Sequence, residues 1–285
     1  MRSKLFVPGS RPELFAKALA GDADALSLDL EDAVAEDRKA EARAAVEAFV
    51  TGDAVARSAK LIIVRTNAAD SPHFVADLAA ITRPGVALIN LPKITSAEAL
   101  LAAVAAIEAA ERANAVAQPI GVLVNIETPH ALAQAAHIAA AHPRVAGLQL
   151  GLGDLFEPHG IDRTDPRNVH AAMFALRMAA AQAGVLAMDG AFAALDDDAG
   201  YREEALMARR LGFVGKSCVH PRQVPLANAA FAPTPAELAM ARRIVEAASA
   251  ADAQARGAFV VDGRMIDPPF LKRAQALLAT ARRAD

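Results

Sequence analysis

Residues 120–154 read IGVLVNIETPHALAQAAHIAAAHPRVAGLQLGLGD, one complete strand-helix-strand unit. Ile120 to Ile126 is a short run dominated by Val, Ile and Leu, and it ends at Glu127. Pro129 to Ala141 is alanine-rich with helical spacing. Gly147 to Leu150 is a second apolar run, ending in a glycine-rich turn that carries Asp154. The two apolar runs lack the strict alternation of a strand with one wet face, the mark of parallel strands covered on both sides. Working outward, the pattern recurs. Strands are expected at Lys4 to Val7, Ala25 to Leu30, Leu61 to Arg65, Val86 to Leu91, Val185 to Met188 and Phe213 to Gly215. Helices are expected at Pro12 to Ala20, Lys39 to Val50, Phe74 to Ile81, Ser96 to Asn114, Arg167 to Ala183 and Ala199 to Arg210. Eight such alternations favour a closed (β/α)8 TIM barrel over an open doubly wound sheet. An open dinucleotide-binding sheet carries G-x-G-x-x-G after its first strand. Here Pro8-Gly9-Ser10-Arg11-Pro12 stands in that place.

Past the eighth strand come Pro221, Pro225, Pro233 and Pro235, a helix expected from Ala236 to Arg256, an apolar patch at Phe259 to Val261, and a terminal helix. This divides the chain into a barrel domain, 1–222, and a C-terminal helical extension, 223–285, placed to cover the barrel mouth or a neighbouring subunit. Composition excludes several alternatives. Of 285 residues 54% are hydrophobic but only 4% aromatic, which suggests a barrel packed with aliphatics. One cysteine, Cys218, rules out a disulfide framework and reads as a small buried hydrophobe. With 30 basic and 33 acidic residues interspersed, no basic block points to nucleic acid. No uninterrupted apolar run is long enough to span a membrane, and Met1 to Gly9 lacks a secretory core, so the expected location is the cytoplasm.

Reactive groups in such a barrel sit at the carboxyl ends of the strands. There the sequence places Asp29, Glu31 and Asp32, then Arg65 and Asn67, then Lys93, Glu127, Asp154, Asp189, and finally Lys216, Ser217 and His220. Glu127 and Asp154, on adjacent strands with no histidine beside them, suit a hard cation such as Mg²⁺. They could equally cap the local helix and loop. Arg65 could bind a carboxylate or a developing oxyanion, or pair with Glu31 or Glu127. Lys93 could form a Schiff base, but so many carboxylates favour a salt-bridging lysine. His130, His137 and His142 read as outer-surface residues. A Ser217, His220, Asp189 triad has no nucleophile elbow behind it. The Asp196-Asp197-Asp198 run reads as a helix cap.

Taken in order, these motifs resemble the HpcH/HpaI aldolase/citrate lyase group, which includes citrate lyase β-chains and malyl-CoA lyases. The matching segments are Arg2 to Gly9, Leu28 to Val34, Val64 to Asn67, Leu91 to Lys93, Asn125 to Thr128, Gly151 to Leu155, Gly215 to Pro221 and Asp262 to Asp267. The resemblance implies a TIM barrel assembled as trimers or hexamers. It also implies Mg²⁺-dependent, reversible cleavage of a 3-hydroxyacyl-CoA into an acyl-CoA and an α-keto acid. It makes Glu127 and Asp154 the Mg²⁺ ligands, puts Arg65 at the reacting oxygen, makes Asp267 a catalytic residue on a C-terminal lid, and places Arg2 and Lys17 near the CoA phosphates. One departure is visible: Ser217 and Cys218 are both small where relatives often carry an aromatic residue. The family also admits a citrate lyase β subunit acting on a carrier-bound citryl group, a CoA-independent aldolase, and a non-catalytic assembly subunit.

Overall fold

The computed structural model describes residues 1–252 and 257–282. Eight parallel strands close into a barrel in sequence order: β1 (Ser3–Pro8), β2 (Ala25–Asp29), β3 (Leu61–Arg65), β4 (Leu88–Leu91), β5 (Gly121–Ile126), β6 (Val145–Leu150), β7 (Leu186–Asp189) and β8 (Gly215–Cys218). Closure comes from β1 pairing with β8, Lys4 opposite Ser217. Helices α1 (Phe15–Ala20), α2 (Lys39–Val50), α3 (Asp53–Ala56), α4 (Phe74–Ile81), α5 (Ala97–Ala113), α6 (Pro129–Ala140), α7 (Leu152–Phe156), α8 (Pro166–Ala183), α9 (Asp198–Leu211) and α10 (Gln223–Phe231) follow in turn. Their starts show local sequence logic. Thr128 caps α6 by accepting from Ala131 N at 3.1 Å, with Pro129 in the first turn, and Asp197 caps α9 by accepting from Gly200 N at 2.8 Å.

The aliphatic core lies between sheet and helices. Leu26, Val64, Ile89, Val124 and Leu148 on the strands share one cluster with Val46, Leu78, Ile107, Ile138 and Leu176 on the helices. Because side chains alternate along a strand, the neighbouring positions face the barrel axis. Lys4 on β1 reaches Asn90 on β4, a strand it does not adjoin, so both side chains lie inside. The interior therefore differs from an aliphatic filling. Among Ile63, Leu123 and Met188 it holds Lys4, Ser27, Asn90, Asn125 and Gln149, all buried. The sequence misplaces β8 for a related reason. Lys216 and Ser217 look like loop residues, yet both are fully buried strand residues.

The first compact unit is Met1–Phe231 and the second Ala232–Asp285. Helix α10, which a boundary at 222 assigns to the extension, packs on β8 and β1 instead. The second unit holds α11 (Pro235–Asp252), the antiparallel pair β9 (Phe259–Val261) and β10 (Arg264–Ile266), and α12 (Pro268–Arg282) around Ala241, Ile244, Val261, Ile266 and Ala274. The expected last turn of its first helix, 253–256, lies outside the described residues. Asp262 and Gly263 join the strands with φ of 49° and 75°, the positive values a two-residue hairpin demands. Among the described residues no helix is long and apolar enough to cross a membrane.

Candidate active site

Strands β2 to β6 deliver a connected set of charges to the mouth. Arg65, last in β3, faces Asp29, last in β2, in a two-pronged pair: Nε to Oδ1 and Nη2 to Oδ2, both 2.7 Å. Asp29 also accepts from Glu31 N at 3.0 Å and Ala33 N at 3.1 Å, so it shapes the loop after β2. Burial works to raise the Asp29 pKa, but Arg65 and the two backbone donors outweigh it and hold the carboxyl below its ordinary value. Nη1 of Arg65 lies 3.0 Å from Glu31 Oε2 and 3.5 Å from Asp32. Lys93 Nζ sits 2.9 Å from Glu31 Oε1. Burial lifts the Glu31 carboxyl to about 7 against the pull of both cations. The Lys93 amine is raised by its contact with Glu31, the reverse of what a Schiff-base nucleophile needs.

Glu127 follows β5 and is buried. Its Oε1 accepts from Lys93 N at 2.6 Å and its Oε2 from Asn125 Nδ2 at 3.3 Å. Lys93 adopts φ 55°, a left-handed conformation that costs a lysine on the order of 1 kcal/mol, so strain sits beside this carboxylate. Since Thr128 caps α6, Glu127 is free of that duty. Asp154 lies in the short helix α7, whose Leu152, Leu155 and Phe156 are buried while Asp154 is exposed. Burial raises the Glu127 pKa, and the Asp154 charge adds to the rise. Gly151 completes the arrangement. A Cβ there would stand 2.6 Å from Glu127 Cβ and 2.9 Å from its Oε2, so only glycine lets the Glu127 side chain lie against this turn. Two repelling carboxylates that offer oxygen donors only fit a Mg²⁺ ion. Such an ion keeps several waters and takes one or two protein carboxylates. Among the described residues no three His, Cys, Asp or Glu side chains gather as a metal site, so the remaining ligands fall to water and substrate.

Beside these groups is a cleft lined by Phe6, Pro8, Asp29, Asp32, Ala33, Arg65, Ala191 and Val219. The Arg65 guanidinium lies 5.0 Å from the Phe6 ring centre. Several residues expected at the mouth stand elsewhere. Asp189 and Lys216 are fully buried in a network with Glu204 of α9, at 2.7 and 2.6 Å from Lys216 Nζ. Ser217 Oγ donates to Asp189 O, so no triad forms with His220. Asn67 is held by Asp77. Burial pushes the Cys218 thiol up to about 11, and it sits 3.1 Å from Tyr201 Oη. His130 and His137 are exposed on α6.

Arg2 is a correction. It precedes β1, and its partner Asp24 precedes β2, with Nη2 to Oδ1 at 2.8 Å and Nε to Oδ2 at 3.0 Å. In a parallel barrel that is the amino-terminal end of the strands, opposite the mouth. Lys17 is exposed on α1, the helix that leaves the mouth after β1. Asp267 lies between β10 and α12. Its backbone oxygen accepts from Leu271 N at 3.1 Å, and its Oδ1 has no hydrogen-bond partner among the described residues.

Comparison with known proteins agrees with the barrel fold. The profile of the HpcH/HpaI aldolase/citrate lyase family matches residues 2–221. The L-malyl-CoA/beta-methylmalyl-CoA lyase of Cereibacter sphaeroides is 36% identical, over 98% of this chain and 94% of its own length. The citrate lyase subunit beta of Haemophilus influenzae is 35% identical, over 99% and 97%. Among solved structures, protein CitE from Mycobacterium tuberculosis, in complex with magnesium, acetoacetate and coenzyme A, is similar with a TM-score of 0.75 and 33% identity, covering 99% of both chains.

Proposed function

Since the chain belongs to the HpcH/HpaI aldolase/citrate lyase family, we propose that it is a Mg²⁺-dependent carbon-carbon lyase. It acts reversibly on a 3-hydroxyacyl-CoA of the malyl, citramalyl or citryl type, giving an acyl-CoA and an α-keto acid. The observation that carries this reading is the buried Glu127 carboxylate, packed on Gly151 and electrostatically coupled to Asp154, next to a charged arginine. When bound there, Mg²⁺ supplies Lewis-acid polarisation of the substrate's hydroxyl and carboxylate oxygens. A guanidinium has five N–H donors; Asp29 takes two, and Nη1 is shared between Glu31 and Asp32, so the second N–H of Nη2 is the donor Arg65 keeps for the substrate oxygen. Its charge is fixed by Asp29 and Glu31, and it stabilises negative charge as that oxygen gives up its proton to solvent. The carbon-carbon bond breaks, its electron pair leaves on the α-carbon of the acyl-CoA, and Asp267 delivers a proton to that carbon. In the condensing direction Asp267 removes it. The unpartnered Oδ1 of Asp267 supports this role, in its own or a neighbouring subunit.

We extend the proposal to a cytoplasmic homo-oligomer, trimer or hexamer. Phe174 and Met178, both half-exposed one turn apart on α8, give it an apolar stripe of the kind subunits bury. For the CoA phosphates, the cations at the mouth end of β1 replace Arg2: Arg11 in the loop, which pairs with Glu13 on the surface, and Lys17 on α1. Arg11→Ala and Lys17→Ala should each raise KM for the CoA ester. Arg2→Ala should leave KM unchanged and cost at most about 1 kcal/mol in denaturant unfolding, as a half-exposed ion pair does. An unchanged KM in both mouth variants would overturn the assignment.

The similarity to a citrate lyase β subunit favours a second reading, a subunit acting on a carrier-bound citryl group. One assay separates the two. Purified chain is given malyl-CoA, citramalyl-CoA or citryl-CoA with and without Mg²⁺, and the keto acid formed is identified. Mg²⁺-dependent release of glyoxylate, pyruvate or oxaloacetate by the chain alone is the expected result. Turnover only after partner subunits are added would select the second reading.

A further inference from the structure

We propose that Lys4, at the centre of the barrel, is a positioning residue for Glu127, acting through the carboxamides of Asn90 and Asn125. The proposal rests on the reading of Glu127 as a metal ligand. The chain of contacts is continuous and crosses the barrel interior. Lys4 Nζ donates to Asn90 Oδ1 at 3.2 Å, Asn90 Nδ2 to Asn125 Oδ1 at 2.8 Å, and Asn125 Nδ2 to Glu127 Oε2 at 3.3 Å. Asn90 Nδ2 also donates to Leu123 O at 3.1 Å, which anchors the middle of the chain to β5. All four side chains are buried, so water does not compete for these bonds.

Polarity gives the chain its purpose. A carboxamide has an acceptor end and a donor end, and a half-turn exchanges them. Lysine presents N–H groups to Asn90, so Asn90 turns its oxygen toward Lys4 and its NH₂ toward Asn125. Asn125 must then meet that donor with its oxygen, which leaves its NH₂ for Glu127. Every bond thus points from the Lys4 amine toward the carboxylate. With no donor at position 4, only the Leu123 carbonyl still fixes the direction of the Asn90 amide, and Asn90 can turn over more readily, and Asn125 with it. A carbonyl oxygen would then face the Glu127 carboxylate and push it from its place. The position of Lys4 is otherwise costly. Burial and the nearby Arg65 cation lower its pKa well below the ordinary value, with Asp29 opposing them, and its amine lies 4.0 Å from the Phe6 ring centre. An aliphatic residue would fill the interior without that cost, so the donor itself is what the position supplies.

The test is a double-mutant cycle read as metal affinity in the full chain. Mn²⁺ is titrated with the free ion followed by electron paramagnetic resonance, without substrate. Lys4→Met and Asn125→Leu are each expected to weaken Mn²⁺ binding about tenfold, within the range for residues that hold a metal ligand in place. The double variant should also be weakened only about tenfold, because a chain already cut cannot be cut again. Unchanged affinity in Lys4→Met overturns the proposal, as does a double variant about a hundredfold weaker, which is what two independent packing effects give. Glu127→Ala serves as the reference. If it loses Mn²⁺ while Lys4→Met does not, only the positioning role falls. If it binds Mn²⁺ as the native chain does, the ligand reading falls and this role with it. Circular dichroism checks that each variant folds. Should Lys4→Met fail that check, Asn90→Leu takes its place in the cycle with the same expectations.

Discussion

Replacing Glu127 by glutamine is expected to lower lyase turnover at least about a thousandfold, while the folded protein becomes no less stable. The first half follows from charge. Glutamine keeps the shape and can still accept from Lys93 N, the 2.6 Å bond made by Oε1, so the change removes the carboxylate's negative charge at the cost of the longer 3.3 Å bond from Asn125 Nδ2. Asp154 is then the one protein carboxylate left at the site. If the lost metal polarisation is worth about 4 kcal/mol in the transition state, a thousandfold fall in rate results. The second half follows from burial. Burial and the Asp154 charge both raise the Glu127 pKa, so ionising it in the metal-free protein works against folding. A neutral amide relieves that opposition. Thermal unfolding reads both effects at once. Mg²⁺ should raise the Tm of the native chain by binding only the folded state, and should leave the Tm of Glu127→Gln where it is. A variant that retained Mg²⁺-dependent turnover, or whose Tm still rose with Mg²⁺, would remove Glu127 from the metal site.

Much of the barrel is written locally. The runs before Arg65, Glu127 and Asp154 are mostly apolar, interrupted by Asn125 and Gln149, and the helix starts at Thr128 and Asp197 carry their own caps, so strand order and helix order follow from short windows. Partnership is not local. Asp29 stands 36 residues before Arg65, and its double hydrogen bond depends on β2 and β3 being neighbours in register, Asp29 opposite Arg65. Which end of a strand a residue occupies also escapes a reading that sees only nearness to it. Arg2 and Arg11 both flank β1, at opposite ends, and only direction of travel distinguishes them. Which face a charge takes is the third gap. Lys93 and Lys216 both look like cations at strand ends. One stands beside Glu31 at the mouth and the other is sealed between β8 and α9, because β8 runs on through Cys218. Glu204 could have flagged this, as a mid-helix acid on the buried face of α9 needs a buried cation.

Lys216→Met should accordingly be the most destabilising change at any of these charged positions, at about 3–5 kcal/mol. Lys216 Nζ is fully buried and satisfies three acceptors: Asp189 Oδ2 at 2.7 Å, Glu204 Oε1 at 2.6 Å and Gly190 O at 3.2 Å. The two carboxylates fare differently when it is removed. Glu204 keeps Arg163, which holds it with bonds of 2.7 and 2.8 Å. Among the described residues, the Asp189 carboxylate keeps only the Gly190 N–H at 2.7 Å and loses its one cation, in a site with no exposure. Burial already lifts its carboxyl to about 6 with Lys216 present, and without Lys216 the pKa must climb further. The sign of the pH dependence follows. A carboxyl whose folded pKa lies above its unfolded value binds protons more tightly when folded, so stability falls as pH rises between the two values and levels off above the folded one. Raising that folded pKa extends the fall to higher pH. The deficit of Lys216→Met relative to the native chain should therefore be smaller at pH 5 than at pH 8, and the companion change Asp189→Asn should recover most of it at pH 8. Denaturant unfolding at the two pH values measures all three quantities. A deficit that did not grow with pH, or that Asp189→Asn failed to relieve, would mean that lost packing around the lysine stem rather than the stranded Asp189 charge sets the cost.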